Sequence, residues 1–137
     1  FTPLLLLRAE RLYCTDAKAY YYRKRDNSIV HNTTPNHIDK RLADTLGIIG
    51  RLQQLAQKLP GQERVALGRR IAQLSMDYLY NTISLTHSRQ RLNDATEALR
   101  QLGLYPLPDR KYTRKYQLFR RMVQSGIGRA LLLHTIR

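Results

Sequence analysis

The sequence has a single cysteine, Cys14, no tryptophan and only two phenylalanines. One cysteine excludes an intramolecular disulfide and any metal site built from several cysteines. The four histidines do not stand at metal-ligand spacing from one another or from the cysteine; they are His31, His37, His87 and His134. A reducing compartment is the natural setting for such a chain, and we predict neither a metal site nor a cofactor.

Long apolar runs are also missing. The leucine runs, Leu4 to Leu7 and Leu131 to Leu133, fall far short of the ~18 to 20 residues that span a bilayer. The sequence therefore predicts no transmembrane segment. The chain begins at Phe1 and not at a methionine, which fits either removal of an upstream organellar presequence or a sequence boundary.

Motifs of the common enzyme classes are absent as well. The sequence contains no Gly-rich phosphate loop followed by Lys-Ser/Thr, no dinucleotide fingerprint and no Gly-x-Ser-x-Gly turn. The carboxylates lie beside cations on predicted helices, where they serve as caps or surface pairs. We predict that the protein is not an enzyme and that it has no small-molecule substrate.

Negative charge is scarce, because 10 acidic residues face 24 lysines and arginines and leave a net charge of +14. With 137 residues and 42% apolar content, the chain is long enough and apolar enough to form one domain with a modest core. Such an excess of positive charge indicates a polyanionic partner, either nucleic acid or an anionic membrane surface. Arginine outnumbers lysine by 18 to 6, which favours structured RNA, since arginine binds phosphate at two points and stacks on bases.

The apolar residues recur at helical spacing, and no stretch alternates convincingly as a strand does. We expect the best-defined helix to start at Thr34-Pro35 and to end at Pro60-Gly61. Its stripe comprises Ile38, Leu42, Leu46, Ile49, Leu52, Ala56 and Leu59. Gly47 and Gly50 lie inside this helix, which suggests the close approach of another backbone.

Two further helices follow in the predicted core. One runs from Gln62 to about Thr86, and its stripe is Leu67, Ile71, Leu74 and Tyr78. The next is capped by Ser88 and stopped by Gly103, and its stripe is Leu92, Ala95, Leu99 and Leu102. The fold class we predict is all-α, with four or five helices in a small irregular bundle that carries basic terminal extensions. Residues 1–34 form the N-terminal basic helical extension, residues 35–103 the helical core, and residues 104–137 the basic C-terminal helix and tail.

The C-terminal part concentrates the positive charge. No carboxylate side chain follows Asp109, which we expect to cap a basic helix that Gly126 and Gly128 close. Tyr112, Tyr116, Phe119 and Val123 would form one stripe of this helix. Its like-charge pairs at i,i+4 destabilise an isolated helix, so the arrangement is most useful where a polyanion neutralises it. The alternative is a solvated basic face over a small core.

The N-terminal extension contains a second basic and aromatic cluster. We expect a helix from about Pro3 to Tyr13 and a further helix capped by Asp16, in which three consecutive tyrosines precede three cations. Three tyrosines cannot share one helical face, so at least one is exposed and able to stack on an unpaired base. The alternative is that these rings pack on neighbouring helices.

These considerations define two sets of candidate residues. The predicted RNA-binding residues are Arg23, Lys24, Arg25, Arg69, Arg70, Arg110, Lys111, Arg114, Lys115, Arg120, Arg121 and Arg129. The predicted stacking residues are Tyr21, Tyr22 and Tyr112.

In overall character this small, arginine-rich chain with one cysteine resembles a protein of an organellar ribosome, most closely a mitochondrial one. Arg69-Arg70 followed by Asp77-Tyr78-Leu79, after Ile49-x-x-Leu52-x-x-Leu55, is similar to the helical pair of the universal small-subunit ribosomal protein fifteen. That local likeness spans residues 46–79. In the family the two motifs lie about one helical turn closer together, and its His-Ser-Arg element precedes the arginine pair, whereas His87-Ser88-Arg89 follows it here. No site residue is therefore transferred.

The resemblance implies a structural ribosomal protein of the mitochondrial matrix, with ribosomal RNA and neighbouring ribosomal proteins as partners. A rival interpretation is a helical accessory subunit of an inner-membrane complex, with its basic faces on anionic lipid. Leu4 to Leu7 beside Arg8 and Arg11 suit that role. The dominance of arginine and the lack of tryptophan and of long apolar segments favour RNA.

Overall fold

The computed structural model describes residues 5, 6, 8–18, 33–110 and 112–136. By contacts the chain divides into two units, residues 1–32 and Thr33–Arg137. In the first unit, Leu5, Leu6 and Arg8 are helical, whereas residues 9–18 form no helix and are exposed. The predicted helix from Pro3 to Tyr13 is therefore wrong beyond Arg8. The second predicted helix of this extension lies mostly outside the described residues.

The described part of the second unit is entirely helical apart from its connections, which confirms the all-α prediction. Its five helices are α1 (Pro35–Gln57), α2 (Gly61–Thr86), α3 (Arg89–Gln101), α4 (Arg114–Gln124) and α5 (Gly126–Thr135). No strand occurs in the part of the chain that the structure describes.

Local signals set most of the helix ends. Thr34 is the extended N-cap of α1, with a proline in its first turn, and Ser88 caps α3 by accepting the amide hydrogen of Arg91 at 3.3 Å. Gly103 follows α3 with φ of 70°, a left-handed conformation that glycine adopts at no steric cost. The amides of Gly103 and Leu104 donate to the carbonyls of Arg100 and Leu99, as in a Schellman motif. These predicted helix ends are confirmed.

Helix α2 lies at the centre of the bundle, because α1, α3, α4 and α5 all pack against it. Apolar side chains from every helix are buried in one cluster, and Ile49, Met76, Leu79, Leu92 and Val123 are fully enclosed. Each leucine- or isoleucine-sized side chain buried in this way contributes about 1.5 to 3 kcal/mol relative to an exposed one. The segment after residue 103 contributes Leu107, Val123 and Leu132 to the same core as α1, α2 and α3.

The predicted close approach of a backbone to α1 is wrong. No backbone approaches Gly47 or Gly50: a Cβ at Gly47 would meet nothing within 4 Å, and at Gly50 it would meet the Leu102 side chain at 3.8 Å. The tight glycine is instead Gly128, where a Cβ would lie 2.6 Å from the Cα of Met122 and closer still to the Met122 carbonyl oxygen.

The basic helix also differs from its predicted form. It begins at Arg114 with Thr113 as N-cap, so Asp109 does not cap it, and Tyr112 precedes it. It ends at Gln124, where Ser125 turns the chain, and Gly126 begins α5 instead of closing α4. The Ser125 hydroxyl accepts the amide hydrogen of Gly128 at 2.9 Å. The sequence signal for this second helix is the serine N-cap. The prediction passed over it because glycine after a helix usually marks a helix end.

Candidate nucleic-acid interface

The predicted basic residues fall into three groups in the structure. Six candidates lie outside the described residues: Tyr21, Tyr22, Arg23, Lys24, Arg25 and Lys111. Two others, Arg120 and Arg129, are used by the fold itself. The remaining six cations are exposed on α2, on α4 and on the segment between α3 and α4, and Tyr112 is half-buried.

Arg120 is buried, with 8% of its surface exposed. Its Nη2 donates to Oδ1 of Asp109 at 2.6 Å, and its Nε has no partner among the described residues. Because Asp109 lies before α4 and not on it, this carboxylate folds back along the helix to reach Arg120. Because Arg120 is largely buried and paired with Asp109, we expect it to stabilise the fold and not to contact RNA.

Arg129 connects three parts of the bundle. Its Nε donates to the Val123 carbonyl at 2.7 Å, and its Nη2 donates to the Tyr105 hydroxyl at 2.8 Å. Its Nη1 reaches Oδ1 of Asn93 on α3 at 3.3 Å, and its guanidinium lies 5.8 Å from the centre of the Tyr105 ring. With all three nitrogens engaged, Arg129 has a structural role that its position in the sequence did not reveal.

A groove runs between α2 and the start of α4. Its first part is a cleft of about 670 Å³. Three parts of the chain line this cleft: Val65, Arg69 and Gln73 from α2, Arg110, Tyr112 and Thr113 from the segment before α4, and Tyr116 from α4. Arg69 and Arg110 are both exposed, and neither pairs with a carboxylate among the described residues.

Arg110 packs against Gly68 of α2. A Cβ at Gly68 would lie 3.4 Å from Nη2 and 3.5 Å from Nη1 of Arg110, so the guanidinium rests against the bare backbone of α2. A glycine inside a helix costs up to about 1 kcal/mol relative to alanine. Here the missing side chain gives Arg110 the space to lie beside Arg69.

The groove continues past Tyr116 into a second cleft of about 410 Å³. Its residues are Met76, Asp77 and Tyr80 from α2 and Lys115, Tyr116 and Phe119 from α4. The rings of Tyr80 and Phe119 meet edge to face, with centroids 6.0 Å apart and planes at 65°. We call the whole feature, from Arg69 and Arg110 at one end to Tyr80 and Phe119 at the other, the basic-aromatic groove.

Two tyrosine hydroxyls fix the floor of the groove. Tyr116 donates to Oδ1 of Asp77 at 2.8 Å, and Tyr112 donates to the Pro108 carbonyl at 3.1 Å. The hydrogen bond with Gln73 lowers the pKa of Tyr116, but the bond to Asp77 and burial together leave that pKa above its ordinary value. Burial raises the pKa of Tyr112, despite the nearby arginines. Both phenols therefore stay neutral and keep their hydrogen bonds well above neutral pH.

Further exposed cations lie next to the groove without lining it. Arg70 follows Arg69 on α2, and its Nη1 lies 3.4 Å from Oε1 of Gln73. Arg114 and Arg121 lie on the outer face of α4, on either side of the exposed Leu118. Three ion pairs form among the described residues, Asp39–Arg91, Glu97–Arg100 and Asp109–Arg120, and none of them neutralises this region's exposed cations.

Sequence reasoning missed Gln73, Tyr80 and Phe119 as site residues. The signal was a second stripe on α2, since Val65, Arg69, Gln73, Met76 and Tyr80 recur at spacings of 4, 4, 3 and 4. This stripe mixes charged, polar and aromatic residues, and so a search for apolar periodicity passes over it. Tyr112, one of the predicted stacking residues, lines the first cleft, although it precedes the helix and is half-buried.

The Asp109–Arg120 pair provides a test of the structural role of Arg120. Asp109→Ala is expected to lower the free energy of unfolding by about 1 to 2 kcal/mol, because a buried guanidinium loses its carboxylate while Asp109 itself is largely solvated. Arg120→Met is expected to leave RNA affinity within about twofold of wild type. Urea denaturation and RNA titration measure the two effects.

The matched control is Glu97→Ala, which removes the exposed pair with Arg100 and should change stability by less than ~0.5 kcal/mol. A strong loss of RNA affinity in a folded Arg120→Met protein would return Arg120 to the binding set.

The chain matches no protein-family model, no curated protein and no solved structure. None of the helices in the described part of the chain has the length and apolarity needed to span a membrane. Within the same residues, no group of three or more His, Cys, Asp or Glu side chains is placed to hold a metal ion.

Proposed function

We propose that this protein binds ribosomal RNA as a structural component of a mitochondrial ribosome. The observation that carries the proposal is the basic-aromatic groove, in which Arg69, Arg110 and Lys115 lack carboxylate partners among the described residues. Exposed cations that the protein leaves uncompensated in one region repel one another, and bound phosphates relieve that repulsion. The net charge of +14 and the excess of arginine support the same partner.

The mechanism is phosphate neutralisation, with aromatic side chains available where bases are unpaired. Arg69, Arg110 and Lys115 bind phosphates inside the groove, and Arg70, Arg114 and Arg121 extend the contact surface around it. Arginine supplies two parallel donors to a phosphate, which fixes orientation as well as affinity. Neighbouring ribosomal proteins are proposed to cover the exposed apolar side chains of α4 and α5, such as Leu118, Ile127 and Leu131.

The test is the salt dependence of RNA binding by the purified chain. Six phosphate contacts predict that log K falls with log salt concentration with a slope of about −4 to −5. Fluorescence anisotropy with a labelled ribosomal RNA fragment, titrated at several salt concentrations, measures this slope. An affinity independent of salt would contradict the proposed mechanism.

The ribosomal assignment needs a separate measurement on the native protein. We expect it to co-sediment with mitochondrial ribosomal particles through a high-salt gradient, because the proposed apolar contacts with neighbouring ribosomal proteins persist when salt weakens the phosphate contacts. Release of the protein from the particles at low salt, while the other ribosomal proteins stay bound, would remove the ribosomal assignment but not RNA binding.

A second candidate function is that of an accessory subunit of an inner-membrane complex that contacts anionic lipid. The observation that favours it is the N-terminal segment, where Leu5, Leu6, Leu12 and Tyr13 are 60%, 48%, 68% and 82% exposed. Flotation with cardiolipin-containing liposomes in the presence of excess RNA distinguishes the two functions. Protein that remains with the lipid supports the membrane role, and protein retained by RNA supports the ribosomal role.

A further inference from the structure

The two ends of the basic-aromatic groove differ in chemistry. Around Arg69 and Arg110 the groove presents guanidinium donors, whereas around Tyr80 and Phe119 it presents rings above the buried Met76. From Arg69 to Tyr80 the α2 helix advances by about 16 Å, at ~1.5 Å per residue. A ligand that contacts both ends therefore extends over more than one nucleotide.

The aromatic end is less suited to phosphate than the end that Arg69 and Arg110 line. Asp77 lies in this part of the groove, and its carboxylate repels a phosphate while it is able to accept a hydrogen bond from a base amino group or a ribose hydroxyl. Lys115 is the only cation that lines this end among the described residues. The rings and the carboxylate together match the face and the donor edge of a nucleobase.

The ring of Tyr80 is only partly buried by its contact with Phe119. Tyr80 is 48% exposed although it makes an edge-to-face contact with Phe119, so a large part of its ring is open to solvent. The exposed part of the ring can stack on a base while the contact with Phe119 is kept. Such stacking tolerates any base, because every base has an aromatic face.

We infer that the groove binds an unpaired segment of RNA, with phosphates at Arg69 and Arg110 and a base stacked against Tyr80 beside Phe119. The inference rests on the proposed function and specifies the form of RNA that this site recognises. In an A-form duplex the bases are stacked on one another inside the helix, and the protein reaches mainly phosphates and 2′-hydroxyls. A duplex thus satisfies the basic end of the groove and leaves the aromatic end empty.

The experiment compares an RNA of about 12 nucleotides without self-complementarity with the duplex formed by that strand and its complement. Both are titrated into the full chain and its Tyr80 variants at fixed salt. The single strand is expected to bind the wild type more tightly than the duplex. Tyr80→Ala is expected to weaken single-strand binding by about 5- to 100-fold, the range for one stacked base.

Two controls separate stacking from other effects. Tyr80→Phe keeps the ring and is expected to bind the single strand within about twofold of wild type, and neither variant should change duplex affinity. Thermal unfolding of each variant verifies that the fold is intact, as expected for an exposed position.

Equal binding of duplex and single strand, or full single-strand affinity in Tyr80→Ala, would overturn this inference while salt-dependent RNA binding stands. If neither RNA binds with a salt-dependent affinity, the proposed function fails and this inference fails with it.

Discussion

The triple variant Arg69→Gln/Arg110→Gln/Lys115→Gln is expected to bind RNA on the order of 100-fold more weakly than the wild type at ~0.1 M salt. Each of the three cations lines the basic-aromatic groove and lacks a carboxylate partner among the described residues. A charge-assisted contact with phosphate contributes about 1 kcal/mol or more at an exposed site, and the three contacts add up to that factor. The slope of log K against log salt should also become shallower by about 2 for a single strand.

A matched control carries the same change in net charge at another place. Lys40, Arg41 and Arg51 are exposed on α1 and do not line the groove. Their replacement by glutamine is expected to weaken binding by less than about tenfold, since only long-range attraction is reduced. Equal losses in the two triple variants would indicate that RNA is attracted by net charge alone and that the groove has no special role.

The second large effect concerns stability, at the turn between α4 and α5. Gly128→Ala is expected to lower the free energy of unfolding by about 2 kcal/mol or more. The new Cβ would lie 2.6 Å from the Cα of Met122 and closer to its carbonyl oxygen, and both atoms belong to backbone that cannot move as a side chain does. The turn must open, which also strains the hydrogen bond from the Gly128 amide to Ser125.

Gly126 provides the control two residues earlier, because a Cβ there would meet nothing within 4 Å. Gly126→Ala begins α5 with a better helix former and should leave stability unchanged or raise it by up to about 1 kcal/mol. Thermal unfolding measures both variants, with roughly 4 °C in Tm per kcal/mol for a unit of this size. A Gly128→Ala protein as stable as the wild type would show that the Met122 backbone leaves room for a side chain at residue 128.

Residues close together in the sequence determined most of the helical framework. The Thr34-Pro35 start of α1, the Ser88 cap and the Gly103 stop each depend on hydrogen bonds or backbone angles within a few residues, and so they were predictable. The apolar stripes of α1, α2 and α3 were predictable for a similar reason, since a period of 3.6 residues places one face of a helix toward the core.

Only the tertiary structure decided which cations are left exposed and which make contacts within the fold. Arg120 and Arg121 are neighbours in the sequence, yet Arg120 is buried against Asp109 and Arg121 is exposed. That difference follows from the start of α4 at Arg114, which leaves Asp109 on a connecting segment that can fold back along the helix. The basic-aromatic groove also depends on tertiary packing. Tyr80 and Phe119 lie 39 residues apart in the sequence, as do Asp77 and Tyr116, and the packing of α4 on α2 brings each pair into contact. Local periodicity gives each helix its faces, but the packing of helices that are distant in sequence brings two such faces together into one groove.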